Sequence, residues 1–193
     1  IKTVVYQINT KNLAETLNFG IKKSNGDYIA RMDSDDIMTK NRILAQVNYF
    51  RNNDFHGVLG TQAIRFNKYS LKPFILKSEN LSLKLDLYFG SPFVHPSVMM
   101  SRNIFDKNFF YNKNFDECED YELWTRISDN FPFHNLLIPH LFYRVHKNSA
   151  SNLKSSELHK FKKIILRNHF KKINLELSDE KLSKYLKIIS LQI

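Results

Sequence analysis

The residues with the most capacity for chemistry are acids placed where one element would hand over to the next. Asp33-Ser34-Asp35-Asp36 puts three carboxylates within four residues, directly behind the run Tyr28-Ile29-Ala30-Arg31-Met32. Carboxylates packed side by side lose hydration and repel one another. A divalent cation relieves both costs, and hard oxygen ligands suit Mg²⁺ or Mn²⁺. Capping of a following helix by Asp33, Ser34 or Asp36 accounts for the same residues without a metal. Glu119-Asp120 is a second acidic pair. Asp120 can take a hydroxyl proton as a general base, and either burial or Glu119 beside it would raise its pKa toward that use. Complementing a helix dipole is the plainer role for both acids. Tyr143-Arg144-Val145-His146 supplies a guanidinium suited to clamping phosphate and an imidazole suited to a metal or a phosphate. A solvated strand end is its simpler account. His95, ahead of Pro96, is open to a site role or to a hydrogen bond within a loop.

Positioning these groups requires alternating strands and helices. A strand is predicted at Ile1–Tyr6, followed by a helix carrying Leu13, Ala14, Leu17 and Ile21, with Asn12 and Glu15 as its capping pair. Ser24-Asn25-Gly26-Asp27 ends that helix. After the strand over 28–32, the stretch from Ile37 to Asn52 repeats Ile43, Leu44, Val47 and Phe50 at helical spacing. Val58–Phe66 reads as a strand and 67–77 as irregular. A helix follows through Leu81, Leu85, Leu87 and Tyr88, with Ser78 or Asn80 as its cap. His95–Met100 reads as a loop entering a strand, and 103–117 as an ordered loop. Leu123, Trp124 and Ile127 make the apolar stripe of a helix headed by the acidic pair. Two short strands are expected around 134–138 and 141–145. This alternation predicts an α/β fold, with the first acidic cluster outside a strand's carboxyl end, where open sheets bind ligands. Lys147–Asn152 is linker-like, dividing a main domain (1–152) from a basic helical segment (153–193).

Composition narrows the class. With 193 residues, 42% hydrophobic and 13% aromatic, the chain is a folded globule rather than a disordered segment. Its single cysteine, Cys118, excludes an intrachain disulfide framework and fits a reducing, cytoplasmic setting. No apolar run approaches the ~20 residues that span a bilayer. The formal charge of +10 favours anionic partners: nucleotides, nucleic acid or acidic lipid. The basic residues are dispersed and no nucleic-acid motif accompanies them, so a basic nucleic-acid-binding protein is the alternative set aside.

Taken in order, the motifs resemble the inverting family 2 glycosyltransferases of GT-A type. Residues 28–36 resemble that family's strand and D-x-D segment, and Leu17-Asn18-Phe19-Gly20 its preceding helix motif. His95-Pro96-Ser97-Val98-Met99 is similar to its HPSVM strand, Glu119–Trp124 to its EDYELW segment, and Tyr143–His146 to its closing YRxH. The likeness covers about residues 1–152.

The resemblance implies a GT-A-like mixed, mostly parallel sheet flanked by helices, with a C-terminal helical segment. It implies transfer of a sugar, with inversion, from a nucleotide-sugar donor to a glycan or lipid-linked acceptor in surface polysaccharide synthesis. Asp35 with Asp33 would hold a divalent metal, Mn²⁺ or Mg²⁺, against the donor's diphosphate. Arg144 and His146 would lie beside that diphosphate, with 147–152 as a lid, and Asp120 next to Glu119 would be the base. The family's first strands, which hold the nucleotide base, correspond to nothing ahead of Ile1. Poor nucleotide-sugar binding is therefore expected, together with either self-association through the opened sheet or a sequence that is an incomplete record of a longer chain. A fragment that only binds is the alternative. The basic C-terminal segment is suited to an anionic membrane, or to packing on the main domain with a solvated face.

Overall fold

A computed structural model describes residues 3–146 and 156–190 of the chain. Helix α1 (Leu13–Lys23) opens on Asn12, whose Oδ1 accepts the Glu15 N–H at 3.0 Å. It leads to β1 (Tyr28–Ala30), a short β2 (Ile37–Met38) and α2 (Arg42–Asn52). The hairpin β3 (Val58–Phe66) and β4 (Leu71–Phe74) precedes α3 (Asn80–Asp86). A 3-10 turn at His95–Ser97 enters β5 (Met99–Ser101), followed by α4 (Asn103–Asp106) and α5 (Glu119–Ile127). The long β6 (Phe133–Arg144), then α6 (Ser156–Lys171) and α7 (Asp179–Ile189), complete the order.

The strands form one mixed sheet in the order β1-β5-β3-β6-β2, with β4 on β3 beside the half that β5 leaves uncovered. The α/β class and the flanking helices are as expected, but the parallel majority is not. Among the described residues only β3 and β6 run parallel, and the other four pairings are antiparallel. The short turn after β3 explains one of them, because a tight hairpin can only return its strand antiparallel. Residues 3–6 of the strand predicted at Ile1–Tyr6 join no strand among the described residues and leave Val5 88% exposed. The stretch 67–77 is not irregular, since it holds β4, and the two strands expected after α5 are one.

Trp124, fully buried, anchors the main core. Phe93 meets it edge-on at 5.4 Å, and Ile165, Leu166, Phe170, Leu182 and Leu186 reach the same cluster from α6 and α7. The C-terminal helices therefore pack on the rest of the chain through their apolar stripe and turn their lysines outward. The expected boundary at 152–153 lies outside the described residues, as does the 147–152 segment. No helix among the described residues is long and apolar enough to cross a membrane.

Helix α2 departs most from its periodicity. Ile43 and Leu44 are 40% and 62% exposed, while Arg42 and Gln46 are fully buried beside Phe50. The Arg42 guanidinium donates to the carbonyls of Arg31 (2.8 Å) and Val98 (3.2 Å), and its Nε to Gln46 Oε1 (3.1 Å). The Gln46 amide donates to the carbonyls of Leu59 (2.9 Å) and Ser97 (3.0 Å). The carbonyls of Arg31, Leu59 and Ser97 beneath the helix draw donors from two long polar side chains, and that of Val98, which already accepts the Arg31 N–H at 3.0 Å, takes a further one.

Candidate active site

Where β1 ends, the three carboxylates of the acidic turn part company. Asp33 Oδ1 pairs with Arg31 Nη2 at 2.5 Å. Asp35 turns the other way, with Oδ2 3.2 Å from His146 Nε2 and its carbonyl accepting from Arg144 Nε at 2.7 Å. Asp36 is buried and accepts the Arg144 backbone N–H at 2.8 Å. Burial, then the charges of Asp33 and Asp35, push its pKa up to about 6 against the pull of that bond. None of the three caps α2, because β2 intervenes and the helix opens behind Asn41. Capping therefore does not account for the cluster.

A cleft of about 770 Å³ opens beside this turn, lined by Arg31, Asp33, Ser91, His95, Glu119 and Asp120 among others. Asp120 stands in the first turn of α5, where its Oδ1 accepts the Tyr121 N–H at 2.7 Å. The same carboxylate thus complements the helix dipole and lines the cleft. Its Oδ2 accepts the Ser91 hydroxyl at 3.1 Å. Burial raises the Asp120 pKa, while those two bonds and the Arg31 charge pull it back. Glu119 is 4% exposed with Oε2 unpartnered, and burial followed by the Asp120 charge raises its pKa too.

His95 lies beneath the pair, with Nδ1 3.6 Å from Glu119 Oε1 and Nε2 2.9 Å from the Tyr111 hydroxyl. Burial and the Arg31 charge hold its pKa well below the usual value, so the ring is neutral. Ligand atoms of His95, Glu119 and Asp120 fall within 4.8 Å of one another, one donor set with metal-ligand character. The carboxylate and imidazole of Asp35 and His146 are a second.

The expected residues therefore gather in two places. Asp33, Glu119 and Asp120 share the cleft, whereas Asp35, Arg144 and His146 cluster outside its lining, next along the chain to Tyr143 and Val145 that line it, and Asp33 does not join that second group. Sequence reasoning missed Arg31, buried with Nε and Nη1 unpartnered, because within a strand it reads as a spacer. Ser91 is a second such residue, because a serine between Gly90 and Pro92 reads as part of a turn. Asn18 ties α1 to the site's wall, its amide donating to the Tyr111 carbonyl (2.8 Å) and its Oδ1 accepting the Tyr111 N–H (3.0 Å).

The family model for "Glycosyl transferase family 2" matches residues 2–110, more than half of the chain. The chain belongs to glycosyltransferase family 2. It is similar to the "O-antigen biosynthesis glycosyltransferase WbnJ" of Escherichia coli, at 33% identity over 76% of this chain and 58% of WbnJ. Its fold is similar to that of Staphylococcus aureus TarS, with a TM-score of 0.64 and 14% identity over 93% of this chain and 51% of TarS 1–349. TarS has also been solved with UDP-GlcNAc. The mannosyltransferase PcManGT of Pyrobaculum calidifontis, solved with GDP-Man and Mn²⁺, aligns with a TM-score of 0.53 and 13% identity over 96% of this chain and 50% of that one. The chain spans about half the length of WbnJ, TarS 1–349 and PcManGT.

Proposed function

We propose that the chain transfers a sugar from a nucleotide-sugar donor to a hydroxyl of a glycan or lipid-linked acceptor, with inversion, during assembly of a surface polysaccharide. The observation that carries this reading is the Asp120 carboxylate, held by Ser91 and the start of α5 inside the cleft that also contains Asp33. Asp120 takes the acceptor's hydroxyl proton as that oxygen attacks the anomeric carbon. The bond from that carbon to the diphosphate breaks, and its electron pair leaves with the nucleoside diphosphate. One displacement from the opposite face inverts the configuration. Glu119 keeps a second acid beside the base, and Asp33, steadied by Arg31, faces the donor side of the same cleft.

Asp35 and His146, with Asp33 nearby, suit a divalent metal, and Arg144 is placed to meet the adjoining phosphates. Mn²⁺ or Mg²⁺ held there would neutralise charge on the leaving diphosphate as a Lewis acid. We favour this pair over His95, Glu119 and Asp120 as the metal site, because a base must keep a lone pair for the acceptor. The metal seen with GDP-Man in PcManGT and the UDP-GlcNAc bound by TarS support a metal-assisted nucleotide-sugar reading. The O-antigen role in WbnJ's name supports a surface polysaccharide. A cytoplasmic setting suits such donors and the single buried thiol of Cys118.

The test is a transfer assay of the full chain with UDP- and GDP-sugars and Mn²⁺, with the product's anomeric configuration read by NMR. Inverted product from the wild type, and a drop of about 10²–10⁴-fold in kcat for Asp120→Asn with donor binding intact, are expected. Retained configuration, or near-normal transfer by the variant, overturns the mechanism.

A further inference from the structure

The charges lining the cleft are unbalanced. Asp33, Asp116, Glu117, Glu119 and Asp120 contribute carboxylates. Against them stand two guanidinium groups, and that of Arg31 is already paired with Asp33. The other belongs to Arg65, near the end of β3, whose guanidinium carbon lies 3.6 Å from the centre of the Phe74 ring. That stacking orients the group and leaves its N–H donors unspent. Directly across the β3–β4 ladder from Arg65 stands Lys72, so two cations share one face. Neither has an acidic partner among the described residues. Like charges directly opposite one another on a sheet are destabilising, and an anion between them removes the cost.

The sheet also separates this pair from the donor end. Arg65 is paired in register with Tyr143, whereas Phe66 is paired with Arg144, and side chains alternate along each strand. Tyr143 and Arg65 face the cleft, while Arg144 lies over the Phe66 ring at 4.5 Å on the opposite face. The two arginines thus serve different places, and the one near Asp35 belongs to the donor in the reading above.

We propose that Arg65 and Lys72, steadied by Phe74, form an anion subsite at the cleft that holds a phosphate group of the acceptor. The acceptor is then a sugar carried on phosphate, either a lipid diphosphate or a phosphodiester polymer, with its reacting hydroxyl directed toward Asp120. This assignment rests on the sugar-transfer reading.

The experiment is calorimetric titration of the full chain with decyl diphosphate in excess chelator, so that the metal end contributes nothing. Arg65→Ala is expected to weaken binding by about 10–100-fold, the loss of a charge-assisted contact. Lys72→Gln is expected to weaken it less, and the double variant to abolish it, with melting at or above the wild-type temperature because the repulsion is relieved. Glycerophosphoglycerol run alongside separates the carriers, since tighter binding of one probe through Arg65 identifies its class. Binding of UDP or GDP with Mn²⁺ should be the same in wild type and Arg65→Ala. Arg65-independent binding of both phosphate probes overturns the subsite, and so does a loss confined to the nucleotides. A chain that binds decyl diphosphate through Arg65 yet transfers no sugar overturns the transfer reading and keeps the subsite.

Discussion

His146 Nε2 stands 3.2 Å from Asp35 Oδ2, so residues 111 positions apart present an imidazole and a carboxylate to the same point. That point lies where the acidic turn meets the end of β6. Either Asp35→Ala or His146→Ala should therefore weaken Mn²⁺-dependent binding of UDP or GDP by at least about 10-fold. In excess chelator, wild type and variants should bind equally weakly. Calorimetry decides, and tight binding by the wild type without metal would sink the prediction.

The pH dependence of transfer follows from Asp120. A base works ionised, and burial raises its pKa, so kcat/KM should fall on the acid side at a pH above the ordinary carboxylate range. Ser91→Ala removes a hydrogen bond that favours the ionised form, moving this acid limb to higher pH while the donor KM stays unchanged. Ser91→Thr should restore the profile. A limb indifferent to position 91 would free Ser91 from this role.

Stability should depend on the polar underside of α2. Gln46→Leu leaves the Ser97 carbonyl and the Arg42 Nε without partners and takes a donor from the Leu59 carbonyl. Stranding a buried polar group costs about 1–3 kcal/mol, so the two stranded groups should cost the variant roughly 2–6 kcal/mol in denaturant unfolding. A loss below about 1 kcal/mol would mean that the helix repacks or that water enters.

His169 is 5% exposed, and both ring nitrogens lack partners where it lies 4.4 Å from Tyr88. Burial, then the Lys172 charge, lowers its pKa to about 4. An unfolded histidine titrates near 6.5, so the unfolded state takes up a proton first as pH falls. The stability from the neutral ring is complete above about 6.5 and is lost as pH drops toward 4. His169→Phe should melt at or above the wild-type temperature at pH 7 and lose less on transfer to pH 4.5. Parallel pH dependences in the two proteins would refute this.

Much of the site was readable because its chemistry sits at element ends. The strand over 28–30, the acids behind it and the Glu119-Asp120 helix start all lie where local pattern placed them. What stayed hidden depends on contacts between distant segments. Apolar spacing in α2 favoured Ile43 and Leu44, yet the carbonyls of Arg31, Leu59, Ser97 and Val98 draw Arg42 and Gln46 inward instead. The β4 strand, with Lys72 and Pro73, carries no apolar alternation, and its pairing with β3 alone makes it a strand. The split of Asp33 from Asp35 depends on Arg31 and His146, neither of which local sequence marks as their partner.

The irregularity between β3 and β6 sets a parity. From Thr61 to Ala63 β3 advances two residues, while β6 advances five, from Leu136 to Leu141. Three extra residues is an odd number, so every β6 side chain beyond the bulge points to the face it would otherwise avoid. Tyr143 enters the cleft and Arg144 turns to Phe66 and Asp35 through that reversal. Removing one bulge residue, such as the 66% exposed Ile138, would leave four steps from Leu136 to Leu141, and plain alternation would then carry Tyr143 to the cleft and Arg144 to the acidic turn unaided. The odd residue is thus what the irregularity absorbs, and shortening the bulge by one would keep both side chains on the faces they hold.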